Sequence, residues 1–362
     1  MKYLKAIVAK GKGAITVILP DTKSSARYTA FDAPDLTKAF KAAGVKKWKV
    51  ENALGSDTTM FTDAQAAIAR GTKVLIVDPI DPTTGASIEA YAAARGVKTI
   101  DYDRLTLGGQ RSYYVSFDNV AVGTLIGKGE LACQTAWGVT NPVTYISYGS
   151  PTDNNATLFK NGYNAVLAAG GFNTTATTLS GSKQSVLENA GTWDAPTAAS
   201  DFEAAYTAHP SINSAVTPND NNASGIITYL QSKGLKPKTF PFTGQDASLV
   251  GFQNVISGYQ CGTVYKPIYK EAQSAVALAV YLNAGKKPPK GLVNGSIPDT
   301  LENKGVASIL LTASWVTAAD VESTVIHDGW LKASDLCSTS SPTVAGSPQP
   351  TFAADCTTYG IK

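Results

Sequence analysis

Short apolar runs alternate along this chain with stretches in which apolar residues recur at helical spacing. Ala14 to Leu19 is β-branched and apolar and ends at Pro20 and Asp21, which predicts a buried strand running into a loop. Leu36, Ala39, Phe40 and Ala43 then recur on one helical face, and Gly44 predicts the stop. Val74 to Val77 predicts a second buried strand, broken by a turn at Asp78, Pro79, Asp81 and Pro82. A helix from about Gly85 to Arg95 follows, ended by Gly96, and then come strands at Lys98 to Tyr102 and Tyr113 to Phe117.

The alternation then begins again. Val143 to Tyr148 predicts a strand, followed by Asp153, Asn154 and Asn155 and by a helix with Phe159, Gly162, Tyr163 and Val166 on its apolar face. Ala215 to Thr217 leads to Asn219, Asp220 and Asn221 and a helix carrying Ile226, Tyr229 and Leu230. Phe240 to Thr243 leads to Gln245 and Asp246 and a helix carrying Phe252, Val255 and Ile256. Cys261 to Tyr265 ends at Lys266 and Pro267, a helix runs from about Ile268 to Asn283, and Ile309 to Thr312 predicts the last strand. Such alternation argues for an α/β protein of two similar halves, each a parallel sheet flanked by helices. Ligands of these sheets bind beyond the carboxyl ends of the strands, where Arg27, Asp103, Arg104 and the second half's amides and carboxylates fall.

Composition narrows the partners. At 362 residues, 43% of them hydrophobic and 16% charged, the chain is long enough for two domains. The net charge of +3 is small and the Lys and Arg residues are scattered, which argues against nucleic acid and anionic membrane surfaces. No apolar run approaches the roughly 18 residues of a membrane span. The apolar stretch near Leu4 to Ala9 is too short for a signal-peptide core, so a signal peptide is expected to lie outside this sequence. The cysteines, Cys133, Cys261, Cys337 and Cys356, have no CxxC spacing, and with only His209 and His327 beside them no metal site or cofactor is expected. An even count permits two disulfides. Cys337 and Cys356 bracket the Ser/Pro/Thr-rich stretch Ser338 to Pro350, and a bridge there would fasten a loose tail and point to an oxidising compartment; free buried thiols are the alternative.

The strand-end residues suit a neutral polyol such as a sugar. Its hydroxyls both donate and accept, each buried group left unpaired costs about 1–3 kcal/mol, and charged partners roughly double the strength of a hydrogen bond. Aromatic rings cover its C–H faces, and Tyr28 and Trp193 are candidates. Singly, each feature has a plainer reading: Asp103 with Arg104 as a solvated turn pair, Asn219 with Asp220 as a helix cap, Tyr28 and Trp193 as packing. Asp103, Asp153 and Asp246 could supply an acid and base pair for glycoside cleavage, but the cations and amides expected around them would keep them ionised. There is no GxSxG, phosphate-binding loop or HExxH motif, so no enzyme is expected.

The segments DYDR (Asp101 to Arg104), SFDN (Ser116 to Asn119), DNNATLF (Asp153 to Phe159), ND (Asn219, Asp220), GQD (Gly244 to Asp246), TVYKP (Thr263 to Pro267) and TVIHDG (Thr324 to Gly329) occur in this order. Together they resemble the xylose-binding proteins of bacterial sugar ABC transporters, in the ribose/galactose-binding group of type I periplasmic binding proteins. The resemblance covers about Ile15 to Leu336 and is most specific in GQD with TVYKP. It implies a two-lobed fold with three hinge crossovers: 13–117 with 267–306 as one lobe, 118–266 with 307–337 as the other, and 338–362 as a tail. It implies sugar contacts from Arg27, Tyr28, Asp103 and Arg104 in the first lobe, and from Asp153, Asn155, Trp193, Asn219, Asp246 and Lys266 in the second or at a crossover. The flanking sequence of Arg27, Tyr28 and Trp193 departs most from the family. Disulfides Cys133–Cys261 and Cys337–Cys356 follow from the same resemblance.

The implied protein is an extracytoplasmic monomer, periplasmic or attached to the cell surface. It would capture a monosaccharide, D-xylose first and glucose or another aldose as the alternative, by hinge closure, and deliver it to a membrane permease. The ligand-sensing core of a LacI-type transcription regulator would need a helix-turn-helix ahead of the first strand, and too few residues precede Ala14 for one.

Overall fold

A computed structural model describes residues 1–25, 27–174, 183–188, 191–338 and 352–362. Among them the strands run β1 (Ala14–Leu19), β2 (Trp48–Asn52), β3 (Thr72–Val77), β4 (Lys98–Tyr102), β5 (Tyr113–Phe117), β6 (Val143–Ile146), β7 (Gln184–Glu188), β8 (Ser214–Val216), β9 (Thr263–Tyr265), β10 (Gly295–Asp299), β11 (Lys304–Leu311) and β12 (Ser314–Val316). The chain divides into two compact units, Met1–Asp118 with Thr152–Asn155 and Pro267–Thr312, and Asn119–Pro151 with Ala156–Lys266 and Ala313–Lys362. The last passage lies after Thr312 rather than at Val306, because β11 continues through Leu311 and pairs there with Phe117 of β5. The first unit also takes in residues ahead of 13: Leu4 is fully buried in its core.

The first unit is built on a sheet of order β10-β11-β5-β4-β3-β1-β2, parallel except where β10 meets β11. Alternate side chains of a strand point to opposite faces. Ile15, Val17 and Leu19 of β1 with Val74 and Ile76 of β3 therefore join Leu36 and Phe40 of the Ala33–Ala43 helix and Ala272 and Val276 of the Ile268–Asn283 helix. Ile18, Leu75 and Val77 face the opposite way, onto Met60 and Ala64 of the Asp57–Ala69 helix and Ile88 of the Pro82–Ala93 helix. Gly44, at φ 80°, closes the Ala33–Ala43 helix in the left-handed conformation glycine adopts without strain.

In the second unit, β7, β6 and β8 are parallel and β9 pairs antiparallel with β12. Tyr145, Phe202, Ala215, Ile226, Leu230 and Phe242 form its core. Phe240 to Thr243, expected as a strand, makes only a bridge from Phe242 to Ala215, since Pro241 has no N–H to donate and contributes its carbonyl alone. The Asn119–Ala136 helix crosses the Asn154–Ala169 helix backbone to backbone, and a Cβ on Gly123 would collide with the Phe159 carbonyl. Disulfides join Cys133 to Cys261 and Cys337 to Cys356, each with Cα atoms 5.9 Å apart. Most of the Ser/Pro/Thr-rich tail, residues 339–351, lies outside the described residues.

Candidate functional site

In the first unit, the carboxyl ends of β1, β3 and β4 lead to one buried polar cluster. Asp103 follows β4 at φ 58°, a conformation non-glycine residues rarely hold. Its N–H donates to the Val115 carbonyl (2.9 Å), and its own carbonyl accepts from the Tyr114 hydroxyl (2.7 Å) and Asn155 Nδ2 (2.9 Å). Backbone held this firmly in a sparsely populated region is a recurrent property of functional sites.

Arg27, only 3% exposed, donates to Asp103 (Nη1, 2.6 Å), Asp32 (Nε, 2.9 Å; Nη2, 2.8 Å) and Glu271 (Nη2, 2.9 Å). Burial by itself would lower its pKa, but Asp103, Asp32 and Glu271 outweigh that and hold it well above its ordinary value. Tyr28 donates to Asp103 Oδ2 (3.3 Å), and the guanidinium carbons of Arg27 and Arg104 lie 5.5 and 5.7 Å from its ring centroid. Arg104 pairs through Nε with Asp153 Oδ2 (3.2 Å) and stands 3.8 Å from Asp78 Oδ1. The six residues Arg27, Tyr28, Asp103, Arg104, Asp153 and Asn155 thus form one network, with Asp153 and Asn155 grouped with the first unit rather than the second. Asn155 donates through Nδ2 to the Asp103 carbonyl, and its Oδ1 accepts from the Tyr114 hydroxyl at 3.2 Å.

In the second unit, Asp246 stands at φ 91° on the loop before the Leu249–Ile256 helix, its N–H donating to the Val264 carbonyl at 3.1 Å. Its Oδ1 accepts from Gln245 Nε2 (2.8 Å) and lies 3.5 Å from Lys266 Nζ. Beneath this loop, Asp220 accepts from Ser248 N (2.8 Å), Ser248 Oγ (3.0 Å) and Gln260 Nε2 (2.9 Å), fixing the start of the helix. Burial, against those hydrogen bonds, pushes Asp220 up to about 7. Asn219 Oδ1 caps the Asp220–Ser232 helix by accepting from Asn222 N (2.8 Å), a bond that makes no use of its NH2 group. Trp193 is half-buried, its ring against Gly149, where a Cβ would overlap the indole. Asn222 anchors the neighbouring loop through the Thr192 carbonyl (3.0 Å) and Ser147 Oγ (3.3 Å). The structure therefore joins Asp246 with Lys266.

Several buried polar residues escape a reading by spacing. Asp32 and Glu271 sit within helical segments, Asp32 five residues after the Arg27 it binds and Glu271 far along the chain from it. Asp78 reads as part of a Pro-rich turn, although it follows β3 as Asp103 follows β4. Gln245 carries the strand-end signal itself and proves to be a direct partner of Asp246. Among the described residues no group of His, Cys, Asp and Glu is arranged to hold a metal ion, and no helix is long and apolar enough to cross a membrane.

Residues 15–287 match the model of the periplasmic binding protein domain. The D-xylose-binding periplasmic protein of Escherichia coli is 32% identical over 310 residues, 84% of this chain and 87% of that protein. The multiple sugar-binding periplasmic receptor ChvE of Rhizobium radiobacter is 30% identical over 352 residues, 92% of this chain and 95% of that one. Among solved structures, a carbohydrate transporter solute-binding protein from Chloroflexus aurantiacus in complex with D-glucose is similar at a TM-score of 0.75 and 28% identity, covering 89% of this chain and 97% of its own.

Proposed function

This chain belongs to the periplasmic binding protein family, and from that premise we propose that it is an extracytoplasmic sugar-binding component of an ABC transporter. It captures a monosaccharide, D-xylose first, by hinge closure and hands it to a permease. The observation that carries this reading is the first unit's network of Arg27, Asp103, Arg104 and Asp153 beside the Tyr28 ring. Buried donors and acceptors already held in place by ion pairs meet a polyol's hydroxyls without being reorganised. The carboxylates of Asp32, Asp103, Asp153 and Glu271 outnumber the guanidiniums of Arg27 and Arg104, which disfavours phosphate or carboxylate ligands. The reading needs no reaction.

D-xylose comes first because two D-xylose-binding periplasmic proteins, each 32% identical to this chain, are among its relatives. The D-glucose complex of the Chloroflexus protein keeps glucose in the comparison. Titration calorimetry with D-xylose, D-glucose, D-ribose and L-arabinose is the test. D-xylose binds tightest if the reading is right; a greater affinity for glucose moves the specificity, and no heat with any of the four removes the sugar reading.

A further inference from the structure

Asp78, directly after β3, is 0% exposed, yet neither of its carboxylate oxygens has a hydrogen-bond partner among the described residues. Such a group is costly to bury and is ordinarily satisfied. Burial, and after it the charge of Asp103, hold its carboxyl well above the usual carboxylate range. Nε of Arg104, 3.8 Å from Asp78 Oδ1, is ion-paired with Asp153 but likewise makes no directed hydrogen bond.

At that spacing a single oxygen atom can lie about 2.8–3.0 Å from both groups. The atom must accept from a guanidinium N–H and either donate to an ionised Asp78 or accept from its protonated carboxyl. A hydroxyl serves both protonation states; a carbonyl or ether oxygen serves only the protonated one, and an ammonium cannot accept. We infer that Asp78 and Arg104 Nε together seat one hydroxyl of the ligand, which makes Asp78 a specificity-determining residue. The inference rests on the sugar reading and adds to it a residue outside the recognised segments, together with a demand for a free hydroxyl at one ring position.

The test is calorimetric titration of wild type, Asp78→Ala and Asp78→Asn with D-xylose, or with whichever sugar of the panel binds tightest, and with each of that sugar's monodeoxy analogues. In wild type, one analogue binds roughly ten- to a hundredfold more weakly through loss of this contact. Asp78→Ala loses a similar factor for the parent sugar and has nothing further to lose with that analogue, while the penalties at other positions persist. The ligand-free melting temperature of Asp78→Ala or Asp78→Asn stays level or rises, because an unsatisfied buried carboxyl has been removed. Parent affinity unchanged in both variants, or a uniform loss across all analogues with a lower melting temperature, makes Asp78 a structural counter-ion of Arg104 and overturns the inference. Absence of sugar binding by wild type is a different result: it removes the sugar reading and this inference with it.

Discussion

Arg27 shows at the scale of one residue how the site is held. Its guanidinium links Asp32, in the helical turn Tyr28–Asp32, and Asp103, directly after β4, to Glu271 on the Ile268–Asn283 helix, all within the first unit. Removing one member of a buried ionic network leaves the others charged and unpaired, at a cost of about 3–5 kcal/mol. Arg27→Met is therefore expected to destabilise the protein by that amount in urea unfolding, while Glu271→Gln, which keeps an acceptor, costs less. Equal stability of wild type and Arg27→Met would contradict the network. Asp103 and Arg104 were legible in the sequence because they follow a recognisable strand, and Asp246 because it follows the apolar run Phe240 to Thr243. Asp32, Glu271 and Asp78 were not: a carboxylate inside a helical pattern or a Pro-rich turn looks like a solvated one, and only the fold reveals the charge it meets.

Among the elements, those with strong apolar periodicity were read closely. β1, β4, β5 and the Ile268–Asn283 helix have the expected bounds. β2 and the Asp57–Ala69 helix were missed because the strand (WKVEN) is a half-buried sheet edge with polar residues among its apolar ones, and the helix has only a weak apolar face. The Asn119–Ala136 helix carries an internal acid: Glu130 is fully buried, accepts from Gln134 Nε2 (2.8 Å), and burial pushes it up to about 7 from an ordinary 4.5. Gln134 in turn donates to Thr144 of β6 (2.9 Å) and Ser214 of β8 (3.0 Å). Because the folded state holds this proton more tightly than the unfolded chain, Glu130 contributes stability below pH 4.5 that is lost as pH rises to about 7. Asp220 acts in the same direction, from 3.8 to about 7. For one such group the loss is on the order of 3 kcal/mol. Glu130→Gln is expected to flatten the fall in stability across this window, raising the melting temperature at pH 8 and leaving it nearly unchanged at pH 4; the same pH profile in variant and wild type would contradict the assignment.

Over the whole molecule, the two halves were legible because the strand–helix alternation restarts at Val143, whereas the passages between units were not. No Gly/Ser- or Pro-rich linker marks Asp118, Lys266 or Thr312, where the chain moves directly out of a strand or into a helix. β11 opens with Lys304 and Gly305, a polar start that hid the first part of the strand, and the last boundary, taken at Val306 from the family resemblance, falls inside it. Each unit carries its own buried charge pair, Arg104 with Asp153 in one and Lys266 with Asp246 in the other. The proposed function requires both. The most direct test is calorimetric titration of D-xylose into wild type, Arg104→Ala and Asp246→Ala, with circular dichroism to show that the fold is retained. Both variants are expected to bind at least tenfold more weakly than wild type, since each loses charge-assisted hydrogen bonds to the ligand; affinities equal to wild type in both would contradict the assignment of these strand ends as the sugar site.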